Sequence, residues 1–192
     1  MVTDGENQRR LIEAARDGDR RAQEALVRLH EGKIYGHILR LVRNTEDARD
    51  ILQETMVRAL TQLHQFDPAH SFAGWLYRIA TNKALDFLRR RKIEFKTFTY
   101  EEDVPIETVA DGAAPGDEII AERLTWEMVE ACMESLDPGY RAVLFMRYKD
   151  GLAYKEIAEA LEIPMGTVKV MLHRGRNELK RLVRKEVGGH EV

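Results

Sequence analysis

The chain holds one cysteine, Cys132, so an internal disulfide is excluded and the composition fits a reducing cytoplasm. A small apolar residue on a buried helix face is the ordinary role of such a thiol. Apolar runs are short as well. AVLFM, residues 142–146, falls far below the roughly 20 residues that a membrane span needs, so no membrane insertion is expected. No apolar signal core follows the N-terminal MVTDGENQRR, which argues against secretion. The six histidines are scattered and lack partner cysteines, so no metal site is expected. No Gly-rich phosphate loop and no nucleophile beside a base can be found. The expectation is therefore no catalytic residue, no cofactor and no enzyme activity. Strand-like alternation and fixed-period repeats are also missing.

What remains is a chain of 192 residues, 44% hydrophobic and 33% charged, ordinary for one medium or two small helix-rich domains. Its formal net charge of −3 hides a pattern. Lys83 to Lys96 carries six cations against two anions. Thr99 to Asp137 carries twelve anions against Arg123. Lys169 to Lys185 carries seven cations against Glu178. Two basic patches around an acidic middle read as two nucleic-acid-binding modules and a connector.

Helical periodicity predicts an all-α fold. Leu11, Ile12, Ala14 and Ala15 make a short amphipathic helix that Gly18 ends. Ala22 to Val42 carries Leu26, Leu29, Ile34, Ile38 and Leu41 at helical spacing. Thr45 is the expected N-cap of a helix carrying Ile51, Leu52, Thr55, Met56, Ala59 and Leu63, with Glu46 and Asp47 in its first turn. After the Phe66–Pro68 loop, Ser71 caps a helix to about Arg91. KTFTYEEDVPIETVADGAAPGDE then loses all period and reads as an acidic flexible linker. Helix resumes near Asp117, with Ile120, Leu124, Met128 and Cys132 at a four-residue step. Asp137-Pro138-Gly139 reads as a turn and Tyr140 to Tyr148 as a short helix stopped at Gly151. Two further helices follow, about Ala153 to Leu161 and Met165 to Lys185.

LAYKEIAEALEIPMGTVKVMLHRGRNELKRLV is the most specific stretch. A short amphipathic helix, a tight turn at Glu162-Ile163-Pro164 and a longer basic helix make a helix-turn-helix, with the second helix as groove reader. At about 100° per residue, Val168, Leu172, Gly175 and Leu179 face the module's core. Gly166, Lys169, Val170, His173, Arg176 and Asn177 face away. Val170 suits a thymine methyl, Lys169 or His173 a base edge, and Arg174 and Arg176 phosphates.

The segment FDPAHSFAGWLYRIATNKALDFLRRRK combines aromatics with a cation block, which suits a separated strand. Phe72, Leu76, Ile79, Ala80 and Phe87 form its buried stripe. Arg78, Asn82, Asp86 and Arg89 form a polar ridge at spacings of four, four and three. Asn82 can read a base edge, and Arg78 and Arg89 can hold phosphates. Phe72 and Trp75 are expected in the core. Phe66 suits core packing and base stacking equally, and Phe66 and His70 could also wall a pocket for a base.

These residues resemble an extracytoplasmic-function (group IV) sigma factor of bacterial RNA polymerase, within the sigma-70 family. DARDILQETMVRAL resembles the family's polymerase-binding helix, FDPAHSFAGWLYRIATNKALDFLRRRK its minus-ten segment, and GLAYKEIAEALEIPMGTVKVMLHRGRNEL its minus-thirty-five motif. The resemblance implies two small helical domains. Residues 1–95 would be region 2, 96–117 the acidic linker, 118–187 region 4, and 188–192 a tail. It implies that Asp47, Asp50, Gln53 and Glu54 dock on the clamp helices of the largest polymerase subunit, and that the second subunit's flap is a further partner. Phe66, Tyr77, Arg78, Asn82, Asp86 and Arg89 would meet the unpaired non-template strand at the minus-ten element. Gly166, Lys169, Val170, His173, Arg174 and Arg176 would meet the minus-thirty-five duplex. The linker would run through the polymerase cleft, and an anti-sigma factor is an implied partner. Two positions depart from the family pattern. Val170 and Met171 are apolar where the motif carries serine and arginine, which changes base preference and removes a cation. A free-standing regulator using only the helix-turn-helix is the alternative. It leaves Asp50, Gln53, Glu54 and the aromatic basic segment without a task.

Overall fold

A computed structural model describes residues 4–91 and 126–188 of the chain. The expected linker at 96–117, the helix positions Ile120 and Leu124, and the last residues of the tail lie outside them. The described residues form eight α-helices and one 3-10 turn, with no strand among them. The chain divides into two compact units, one built on the first four helices and one on the last four.

In the first unit, α1 spans Asp4–Arg16 and α2 spans Arg20–Val42. Between them Gly18 takes φ +92°, a left-handed conformation that costs glycine little. The Asp19 carboxylate accepts from the amides of Arg21 and Ala22 at 2.8 and 3.4 Å, satisfying two otherwise orphaned donors of α2. α2 stops at Arg43, which is left-handed and donates its N–H to the Leu39 carbonyl. α3 is Thr45–Thr61, and its cap is Asn44 rather than Thr45. Asn44 is extended (φ −138°, ψ 129°), so its side-chain oxygen reaches the amides of Glu46 and Asp47 at 2.9 and 3.0 Å. Thr45 already lies within the helix. A 3-10 turn, Leu63–Gln65, follows, and α4 spans Phe72–Arg90. Ser71 caps α4 as the sequence predicts, with its hydroxyl accepting from the Gly74 amide at 3.2 Å.

The core of this unit takes Leu26, Ile34, Ile38 and Leu41 from α2, Ile51 and Ala59 from α3, and Leu76, Ala80 and Ala84 from α4. Leu29 is 57% exposed despite its expected place in the stripe. It lies about 100° from the middle of the face that buries Leu26, His37 and Leu41. One polar pair sits inside: His37 is fully buried and its Nε2 is 2.9 Å from Thr81 Oγ1.

In the second unit, α5 is Trp126–Glu134, α6 Pro138–Tyr148, α7 Tyr154–Leu161 and α8 Met165–Gly188. The expected turn at Asp137-Pro138-Gly139 is instead the start of α6. Asp137 accepts from the Gly139 amide at 2.9 Å, and Pro138 occupies the first helical turn, where a missing N–H costs nothing. Residues 142–146 of α6 are all buried, so this helix is the unit's centre. Arg141, 5% exposed, donates to the Glu134 carbonyl at 3.1 Å and caps α5. Cys132 is buried, and burial raises its thiol pKa, which fits the packing role. Ahead of α7 the Glu156 carboxylate accepts from the Ala153 amide at 2.9 Å. Glu162 turns the chain with φ +56°, and α8 begins three residues later. α7, this turn and α8 form the helix-turn-helix.

Candidate nucleic-acid and partner interfaces

On α8 the two faces separate cleanly. Val168, Leu172, Gly175 and Leu179 are buried, whereas Gly166, Lys169, Val170, His173, Arg174 and Arg176 are partly exposed. Asn177 is exposed and its Nδ2 lies 3.4 Å from His173 Nε2. Arg176 lies against Tyr148. Burial pushes the tyrosine's pKa up, while the guanidinium and its hydrogen bond pull it down. Arg176 is thus steered from α6 rather than by α8 alone. Met171 does not face the DNA side, contrary to the expectation that it alters base preference. It is 4% exposed and packs inward with Leu172, so it fills core volume and presents nothing to a groove. Of the two departures from the family motif, only Val170 reaches the outer face.

On α4 the ridge is accessible: Asn82, Asp86 and Arg89 are exposed and Arg78 is partly exposed. Phe66 and Tyr77 are placed otherwise. Phe66 is 4% exposed, with ring centroids 5.3 Å from Phe72 and 5.4 Å from Trp75. Tyr77 is 3% exposed and meets His37 edge-to-face at 5.0 Å. Both rings already have aromatic partners, so neither offers a face to a stacking base here. Phe66 does border a cleft of about 660 Å³ between α1 and its own loop, with Arg9, Arg16, Pro68 and His70 also in the wall. The loop is held by Asp67, whose carboxylate accepts from the Ala69 amide at 2.9 Å and lies 3.4 Å from His70 Nδ1.

On α3, Asp50, Gln53 and Glu54 are exposed on one face and Asp47 is partly exposed at its edge. Two residues join this picture that sequence reading missed. Val57, 57% exposed, falls between Gln53 and Glu54 in angle and one turn further on. Its spacing from Asp50, seven residues, was the available signal. Lys83 of α4 places its Nζ 2.6 Å from Glu54 Oε2, a pairing across helices that no local pattern shows.

Residues 26–93 match the family model described as sigma-70 region 2, and residues 126–179 match sigma-70, region 4. The ECF RNA polymerase sigma factor SigW of Bacillus subtilis is 34% identical over 181 residues, covering 92% of this chain and 96% of that one. The chain belongs to the ECF sigma factors. The RNA polymerase sigma-H factor of Pseudomonas aeruginosa is 31% identical across 94% of this chain and 95% of its own. Among solved structures, that of CnrH in complex with the cytosolic domain of CnrY aligns with TM-score 0.66 at 25% identity, over 93% of this sigma factor and 97% of that chain. The sigma factor RpoE of Bartonella quintana, solved with the anti-sigma factor NepR, shares the fold with TM-score 0.61 at 22% identity, over 84% and 96%. No described helix of this sigma factor is long and apolar enough to cross a membrane.

Proposed function

We propose that this sigma factor directs core RNA polymerase to promoters by holding paired and separated DNA on different units. The domain limits adopted are 1–95, 96–117, 118–187 and the tail 188–192. α8 enters the minus-thirty-five major groove, with Lys169, Val170 and His173 at base edges and Gly166, Arg174 and Arg176 along the backbone. The α4 ridge of Arg78, Asn82, Asp86 and Arg89 receives the non-template strand at the minus-ten element. Phe66 and Tyr77 serve that surface from beneath, by fixing the loop and α4. Phe66 and His70 also leave the adjoining cleft as a place for one extruded base, whose release from the stack costs a few kcal/mol. Asp47, Asp50, Gln53 and Glu54 dock on the polymerase clamp helices, with Val57 as an apolar anchor in their midst.

The observation that carries this reading is the two-sided character of α4. Leu76, Ala80 and Ala84 close the core while Asn82, Asp86 and Arg89 stand exposed within the same turns. A helix-turn-helix regulator acting alone has no need of that ridge or of the α3 face. The solved relatives bound to CnrY and NepR support a restraining partner of the anti-sigma kind here, and action with polymerase supports a cytoplasmic location. The test mixes the purified folded chain with core polymerase. Binding and promoter-dependent transcription are expected, and the absence of both overturns the proposal.

A further inference from the structure

The ion pair between Glu54 and Lys83 joins the two proposed surfaces of the first unit. Glu54 sits on the outer face of α3, its side chain 66% exposed, where a polymerase is proposed to dock. Lys83 follows Asn82 directly and flanks the ridge on the side facing α3. Its side chain is only 21% exposed, and its ammonium is 2.6 Å from the carboxylate. The lysine therefore sits beside the strand surface with its charge already paired to a carboxylate. An anionic strand approaching Asn82 in the free protein meets a carboxylate beside the ammonium. The pair is also easily exchanged, because partly exposed ion pairs are held by about 1 kcal/mol or less.

We propose that Lys83 is a phosphate ligand for the separated promoter strand, masked by Glu54 in the free chain. The proposal rests on the docking and strand surfaces assigned above. When α3 meets a cationic polymerase surface, Glu54 turns to that partner and Lys83 passes to the nearest phosphate. Core binding thereby strengthens strand capture without any change of fold. An ammonium on the ridge flank recognises only the backbone, so the added affinity is independent of base sequence.

The experiment measures fluorescence anisotropy of a labelled mixed-sequence single-stranded 20-mer, titrated with the full chain at several salt concentrations. Glu54→Gln keeps the shape and removes the mask. It should tighten binding by the free chain up to about fivefold and steepen the salt dependence by about 0.7 of a log unit per log of salt, the value for one added single-strand phosphate contact. Lys83→Ala alone should change free-chain binding little, and Lys83→Ala in the Glu54→Gln background should abolish the gain. In holoenzyme, Lys83→Ala should weaken capture of a single-stranded minus-ten oligonucleotide. An unaltered affinity for Glu54→Gln, or a gain that survives Lys83→Ala, overturns the masking proposal. Holoenzyme capture that responds to Asn82→Ala but ignores Lys83→Ala also overturns it and leaves the strand surface standing. Capture indifferent to Asn82→Ala and Arg78→Ala removes that surface itself.

Discussion

Gly175 of α8 lies against Leu144 of α6 so closely that a Cβ on the glycine would meet Leu144 Cδ1 at 3.3 Å, with Tyr140 Cβ also at 3.3 Å. The groove-reading helix is seated on the most buried helix of its unit through a position without a side chain. Gly175→Val should destabilise the second unit by about 1–3 kcal/mol, the usual cost of overpacking. Urea denaturation followed by circular dichroism checks it, and an unchanged midpoint excludes the close approach.

Asn82→Ala leaves the core intact because the side chain is exposed. Promoter opening should fall more than duplex binding. Permanganate footprints report the first and gel shifts the second. Equal losses in both would remove Asn82 from strand recognition.

Lys169→Ala should weaken promoters that depend on the minus-thirty-five element, with a loss that depends on the base at one promoter position and little change in salt slope, as expected for a base-edge contact. A loss that is the same for every base, with a salt slope lower by about one unit, would instead place Lys169 on a phosphate. Unchanged binding throughout the salt titration contradicts both.

His30 is buried, and burial, with Lys33 adding to it, lowers its pKa from 6.5. Its ring contacts Phe72 edge-on at 5.2 Å, and Nε2 lies 3.2 Å from Gln8 Nε2. The folded state favours the neutral ring, so the unfolded chain binds more protons between the two pKa values. This contribution to stability is complete above the unfolded pKa and is lost as pH falls through the folded one. Stability measured by urea titration from about pH 7 down to about pH 5 should decline more steeply for the wild type than for His30→Gln. Parallel declines would assign the acid sensitivity to other groups.

Much of the fold was legible because helices announce themselves locally. The stripe on α8, the Ser71 cap and the turn at Glu162 all follow from spacing and residue chemistry within a few positions. The misplacements came where a neighbour decides. Asn44 and Thr45 are both good caps, and only the backbone torsion at Asn44 chooses between them. Phe66 and Tyr77 have the chemistry of stacking residues, but Trp75, Phe72 and His37 cover them. Met171 stands where the family motif carries a cation, yet it follows the inward face. The Glu54–Lys83 pair spans 29 positions and depends on how α3 lies beside α4, which no window along the sequence contains.

The packing of Trp75 beside Phe66 and Phe72, with centroids 5.4 and 5.6 Å away, gives the protein an optical gauge of its own. The sequence has two tryptophans, so a Trp126→Phe variant would leave Trp75 as the single indole emitter. Any ligand that rearranges the segment from Phe66 to Ser71 must disturb the rings around that indole. Its emission wavelength and quenching would then follow strand binding by the free chain in real time, with no dye attached to the DNA or the protein.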